Sequence, residues 1–267
     1  MQQLHQFSFS ANFARIALIS CQLAALVSSG HEYLREKPSF LQTCQLHDAN
    51  NGECLANAFE NLFSNWRSGV PGLKGLSSID PFHVKRVRLS QQTPNLADIK
   101  AELTNVTVYG MSDTKVLKTS VNDKDYTIEF KLLSPAVHMD GDYKVQGRIL
   151  ILNLNGAGKI ESNVGNIEFR VTCKANLIQI DGIYFLDIIA ASSYIDKVGS
   201  FKIHFSNLFG DNKELEDSAH DLFNNNWREL FEIMRPAFAQ TFNTILLDRY
   251  KKIMRYVPAS YFLDDLP

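Results

Sequence analysis

Hydrophobic and polar residues along the chain follow two periods, and the switch between them marks where the fold changes character. Leu55, Phe59, Leu62 and Phe63 recur at helical spacing, which predicts a short helix stopping between residues 64 and 69. A connector rich in Gly and Pro (GVPGLKGLSSIDP) follows. Beyond it the period becomes two. Tyr126, Ile128, Phe130 and Leu132 alternate with other residues, as do Val145, Ile149 and Ile151 around Gly147, then Ile167, Phe169 and Val171, then Phe201, Ile203 and Phe205 after Gly199. Asp140-Gly141, Asn155-Gly156, Gly165-Asn166 and Asp181-Gly182 read as turns between antiparallel neighbours, so residues 82–206 are expected to form a long meander. Asp140 to Asn155, and Asn166 to Asp181, are each fifteen residues apart. That leaves room for strands of about ten or more, where about five or six is usual. Strands so long must twist and coil, and a sheet of them curves into a trough.

The last sixty or so residues supply something to fill the trough. Leu215, Ala219, Leu222 and Phe223 predict a short helix ending in Asn224, Asn225 and Asn226. Trp227, Leu230, Phe231, Met234, Ala237, Phe238, Phe242 and Ile245 then fall within an arc of about 140° at about 100° per residue. Polar Glu229, Glu232 and Gln240 lie elsewhere on the wheel. A helix from Trp227 to Tyr256 is about 45 Å long, and a strand of about twelve residues reaches about 40 Å. The helix is therefore expected to lie along the trough rather than to cap it. Pro236 removes one helical hydrogen bond and is expected to kink the helix. The fold class is α+β.

Residues 16–27 (IALISCQLAALV) form an apolar run behind Arg15 and before Ser28, Ser29 and Gly30. This is the layout of a secretory signal peptide, and it is too short to span a bilayer. The other reading, a buried N-terminal helix, lacks amphipathic spacing. Residues 1–30 are thus expected to be a signal peptide that takes Cys21 with it, and 31–267 a single domain of a secreted, extracellular protein. Export favours disulfides. Cys44 and Cys54 bracket a polar loop (CQLHDANNGEC) and are expected to pair, contributing roughly 2 to 3 kcal/mol. Cys173 is left without a partner, and its phase with Ile167, Phe169 and Val171 favours a buried inert thiol over a reactive one. Asn105-Val106-Thr107 is the only glycosylation sequon and makes Asn105 a candidate acceptor.

Composition excludes several classes. Hydrophobic residues make up 45% and charged residues 21%, enough for a substantial core. The net charge of −2 becomes −3 without residues 1–30, which offers no footprint for nucleic acid. No run of eighteen apolar residues exists, so stable membrane insertion is not expected. GxSxG and HExxH are absent, and His31-Glu32 lacks a second histidine. Gly156-Ala157-Gly158-Lys159 has the end of a phosphate loop but Asn153 in place of its first Gly, so it reads as a hairpin turn. His138, Asp140 and Asp142 can be drawn as metal ligands, yet Asp-Gly reads first as a turn. Lys251, Lys252 and Arg255 read as a solvated helix end before they read as a membrane contact. No enzymatic activity, cofactor or metal is expected.

Three segments carry a resemblance over nearly the whole of residues 31–267. They are the Cys44 to Cys54 loop before its helix, Ser78-Ile79-Asp80-Pro81-Phe82 at the end of the connector, and NLFGDNKELEDSAHDLFNNNWRELFEIMRP. The last holds Leu208-Phe209 and Gly210 ahead of Asn226-Trp227 and Pro236. The chain resembles the insect haemolymph juvenile-hormone-binding and takeout-like secreted proteins. The resemblance implies a long C-terminal helix wrapped by a highly curved antiparallel sheet, a super-roll of the tubular lipid-binding type. It also implies a tunnel for an elongated apolar ligand, a juvenile hormone-like terpenoid or a fatty acid derivative. The hormone carriers have a second disulfide that is missing here, which places the chain nearer the takeout-like branch, associated with circadian, feeding and chemosensory physiology in haemolymph or sensory lymph.

A tunnel also makes physical sense, because curved surfaces bearing large side chains do not mesh everywhere and an apolar gap stays dry. A guest of about fifteen to twenty carbons would then bind at micromolar strength or better. Trp227, Phe231, Met234, Phe238 and Phe242 are the candidates for the helix side of the lining. Plain core packing leaves the same pattern in sequence. The expectation is a carrier of a small apolar ligand; the alternative is a receptor-facing protein whose guest is a fixed structural filler.

Overall fold

One antiparallel sheet of six strands dominates the structure, a computed structural model that describes residues 30–266. Among the described residues, 33–266 form one compact unit. The expected signal peptide lies outside the described residues. Helix α1 spans Asn51–Asn65; strands β1 (Phe82–Thr93), β2 (Ala97–Tyr109), β3 (Lys115–Asn122), β4 (Thr127–Ile149), β5 (Leu152–Ile180) and β6 (Ile183–Phe205) follow, then helices α2 (Lys213–Asn225) and α3 (Trp227–Tyr256). The strand order is β1-β2-β4-β5-β6, with β3 also on β4. β2 pairs with the second half of β4, Tyr109 opposite His138, and β3 with the first half, Lys115 opposite Leu133. The two therefore lie end to end along one edge of β4. The expected meander is present, with its second strand broken at residues 110–114.

Three of the four expected turns are not turns. Asp140-Gly141 sits inside β4, and Asn155-Gly156 and Gly165-Asn166 inside β5. Only Asp181-Gly182 reverses the chain, with φ of 51° and 83°, as a two-residue primed turn requires. The other long hairpin turns at Leu150 and Ile151. Leu150 has φ 51°, and Ile151, expected within a strand, stands 83% exposed at the tip. The glycines have another use. Residues 206–208 cross over β5, and a Cβ on Gly156 would lie 2.6 Å from the Leu208 carbonyl oxygen, one on Gly158 2.2 Å from that of Ser206. The phosphate-loop-like run is thus a strand under a strap, not a hairpin.

Removing those turns makes the strands about twice as long as expected: 23, 29 and 23 residues for β4, β5 and β6. At about 3.3 Å per residue β5 traces up to about 95 Å, about twice the 45 Å or so of α3. Such strands have to wrap around the helix rather than lie beside it. Register shifts between Thr104 and Thr107, Glu168 and Phe169, and Lys174 and Ala175 supply the bends. Helix α3 runs through Pro236 without interruption. It packs chiefly on β6 and also on β1, so the sheet curls until both its edge strands face the same rod.

An edge strand carries unpaired backbone groups, and here helix side chains meet those of β6. Asn224 accepts from the Ile203 N–H at 2.9 Å and donates to its carbonyl at 3.1 Å. Asn243 accepts from the Ser193 N–H at 2.6 Å, Arg235 donates to the Ile195 carbonyl, and the Phe205 N–H donates to His220 Nε2 at 3.0 Å. α2 is itself started by Asn212, whose side chain accepts from the Leu215 N–H at 3.0 Å.

The rod joins two cores. Leu230 and Ile233 pack with Phe223, Tyr143, Val145 and Leu103 at one end; Ile253 and Met254 pack with Phe59, Phe130, Val171 and Phe262 at the other.

Two stability measurements test this edge. Asn243→Leu leaves the Ser193 N–H without its acceptor and should cost about 1 to 2 kcal/mol in urea unfolding. Burial, then the His204 ring at 4.4 Å, push the His220 pKa below its ordinary value. A neutral ring is needed to accept from Phe205, so the stability it supports is complete above about pH 6.5 and is lost as pH falls through the lower folded pKa. The urea midpoint should hold above about pH 6.5 and drop as the pH is taken below it, and less in His220→Gln.

Candidate ligand cavity

The apolar face of α3 turns as the helix proceeds. Trp227 to Phe238 present one arc, whereas Ile245, Leu246, Arg249, Tyr250, Ile253 and Met254 occupy a sector of about 180° centred about a quarter-turn away. Opposite this second sector α1 presents Phe59, Leu62 and Phe63, and the sheet presents Leu132 and Phe169. Between them lies an apolar cavity of about 90 Å³. A second one of about 20 Å³ sits beside it, and Phe59, Phe63, Leu132, Tyr250 and Met254 line both.

The wall is held from outside. Asp80, a buried residue of the connector, accepts from the Gly110 N–H at 3.1 Å, the Ser112 N–H at 3.1 Å and the Ser112 hydroxyl at 2.6 Å. It thereby pins Ile79 and Phe82 on one side of the cavity to Met111 and Thr114 on the other. The Cys44–Cys54 disulfide is formed, as expected. Cys44 in turn accepts from the Asp264 N–H at 3.1 Å and donates to the Phe262 carbonyl at 2.7 Å, which ties α1 to the C-terminal tail. Phe59 is caught between Phe262, stacked at 5.6 Å, and Phe130, edge-on at 4.7 Å.

Few polar groups reach the larger cavity. The Thr114 hydroxyl is bonded to that of Ser134 at 2.7 Å. Burial, then nearby Cys173, push the Tyr250 phenol up, so it stays neutral. Arg249 brings a full charge, and burial pulls its pKa down against the opposing pull of Asp248. Cys173 lines the smaller cavity as a free, buried thiol that burial pushes up to about 12. It stays protonated, and a thiol is a poor nucleophile.

Of the candidate lining residues, only Phe242 faces either cavity, with its ring edge-on to Phe169 at 5.6 Å. Phe231 is buried against Phe201 at 5.9 Å and Phe238 at 5.5 Å. Met234 packs into the core at the α2 end, and Trp227 is half-buried with the Arg228 guanidinium 4.6 Å from its ring centre. Sequence periodicity found α1 but not what α1 faces, and Ile245 fell on the expected arc without being singled out. The motif Ser78-Ile79-Asp80-Pro81-Phe82 was the available signal for the rest of the wall.

Asn105 is exposed at the β2 bulge, its amide donating to Asp142 at 2.8 Å. His138 is bonded to Asn163 at 2.9 Å and Asp142 is paired with Lys159. Among the described residues no group of three or more His, Cys, Asp or Glu is placed to hold a metal ion, and no helix is long and apolar enough to cross a membrane. At the end of α3, Lys252 pairs with Asp248 at 2.8 Å and Arg255 with Asp187 at 2.9 Å.

Comparison with known proteins places this architecture. Takeout 1 of Epiphyas postvittana matches with a TM-score of 0.74 over 84% of this chain and 99% of that one, at 20% identity, and so shares the fold. The circadian clock-controlled protein daywake of Drosophila yakuba is 24% identical over 251 residues, 90% of this chain and 95% of the relative. Its Drosophila melanogaster counterpart is 25% identical over 228 residues, 81% and 85% of the two chains. The model of the haemolymph juvenile hormone binding protein family matches residues 17–264, and with the helix-in-sheet architecture it identifies the chain as a member of that family.

Proposed function

We propose that the protein is a secreted carrier that takes up a small elongated apolar molecule beside the C-terminal half of α3 and releases it unchanged. The observation that carries this reading is the larger cavity, walled by hydrocarbon at nearly every position and lying between α1, the sheet and α3. An apolar cavity of about 150 Å³ holds one benzene, so a guest of about fifteen carbons has to part the side chains that close about 90 Å³. Met254, flexible and shared by both cavities, is well suited to move. Binding then selects an opened form from the ensemble. Family membership supports a juvenile hormone-like terpenoid or a fatty acid derivative as guest, and the clock-controlled relatives support a circadian role. Export is supported by the disulfide, and in a secretory cell the exposed Asn105 would carry the glycan.

The alternative, a receptor-facing protein with a permanent filler, fits less well. Side chains already close most of the bore, so the core is nearly complete by itself.

Native mass spectrometry of protein secreted by insect cells should show a stoichiometric apolar mass that exchanges with added fluorescent fatty acid within minutes. A mass that survives competition and leaves only on unfolding would mean the filler. Leu246→Trp adds bulk to the cavity wall and should weaken uptake about tenfold or more, while costing about 1 to 3 kcal/mol of stability; unchanged uptake would place the guest elsewhere.

A further inference from the structure

Resting on the carrier reading, we infer that the guest is an acid: a long-chain carboxylate whose head group pairs with the Arg249 guanidinium while its tail lies along α3. The wall of the larger cavity has one full charge, and it has no counter-charge of its own. The guanidinium sits 4.1 Å from the centre of the Phe82 ring, which covers one face. Its two terminal nitrogens donate to the Ser78 carbonyl at 3.4 Å and the Ser77 hydroxyl at 3.3 Å, both at the long limit for such bonds.

Among the described residues no carboxylate lies within 4.0 Å of Arg249, and the nearest candidates are engaged. Asp248 pairs with Lys252 at 2.8 Å, and Asp80 takes donors from Gly110 and Ser112 with Arg67 at 4.0 Å. Other arginines are supplied: Arg170 by Asp196, Arg235 by Glu232, Arg255 by Asp187, and Arg86 and Arg88 by Glu102. Arg249 is half-buried, where an unpaired charge is costly.

A ligand carboxylate provides what the fold withholds, since a guanidinium offers paired donors that match both its oxygens. Ser77 is exposed, so the charged end stands near the mouth formed by the connector. Ile245 and Ile253, one helical turn to either side, and Phe242 further in offer hydrocarbon to the tail. An ester or a hydrocarbon gives the guanidinium no charge.

The test compares oleate with methyl oleate on the secreted protein at about pH 7.5. Wild type should prefer the acid by about tenfold or more, the worth of a hydrogen-bonded charge. Arg249→Gln should lose about tenfold or more on oleate and no more than about threefold on the ester, and Arg249→Lys should keep part of the preference. Equal binding of both ligands by wild type, binding of the ester alone, or a parallel loss of both in Arg249→Gln overturns the assignment of the acid and leaves the carrier standing. If neither ligand binds wild type, the carrier reading itself has failed. If Arg249→Gln is not secreted, the wild-type ratio and Arg249→Lys decide.

Discussion

A curled sheet has two edges, and everything in this fold follows from one rod meeting both. On the β6 side the contact is polar: Asn224, His220, Arg235 and Asn243 satisfy backbone groups that a neighbouring strand would otherwise take. Arg235 and Asn243 join fixed positions of α3 to fixed strand positions and so set its rotation and its register along β6, while His220 and Asn224 seat α2 on the same edge. Asn243 faces β6, and Arg249, six residues and about 120° further round, is therefore turned toward the bore. A purely apolar contact could slide and still bury the same area. The polar one cannot.

Much of the architecture was legible in the pattern of residues. The arc beginning at Trp227 marked the long helix, the alternation marked the strands, and the two cysteines of the short loop marked their bond. The turns were misread because Asp-Gly and Asn-Gly carry two meanings. Glycine permits positive φ at Asp181-Gly182, but under the crossing strap at Gly156 and Gly158 it simply makes room. A single sequence does not separate these uses. The real hairpin tip at Leu150 and Ile151 has no turn chemistry, being set by where the paired strands run out.

The cavity was harder to place than the helix beside it. Trp227, Phe231 and Phe238 share one arc in the first half of α3, which drew the expected lining there. In that half, however, the rings find partners: Phe231 meets Phe201 on β6 and Phe238 on its own helix. Matched rings leave no gap. In the second half the apolar sector widens to about 180° because it is flanked by α1 as well as by the sheet. The cavity wall comes from six separate stretches of chain, and spacing within any one stretch says nothing of their meeting. Asp80 could be seen in its motif but not its role, since the donors it collects lie about thirty residues further on.

How a guest enters follows from which parts of the wall are fastened. Phe59 is held by two rings, α1 by the disulfide and the tail, and the connector by Asp80. Strands β4 and β5 are paired along nearly their whole lengths and cannot part without losing many hydrogen bonds at once. The side chains between the two cavities are less constrained: Met254 has an unbranched thioether, and Phe63 is only partly buried. Enlargement by moving such side chains costs far less than moving backbone. A rigid tube with a soft inner wall admits chains of differing length, and discrimination among them then falls to the few polar atoms in the wall, Arg249 foremost.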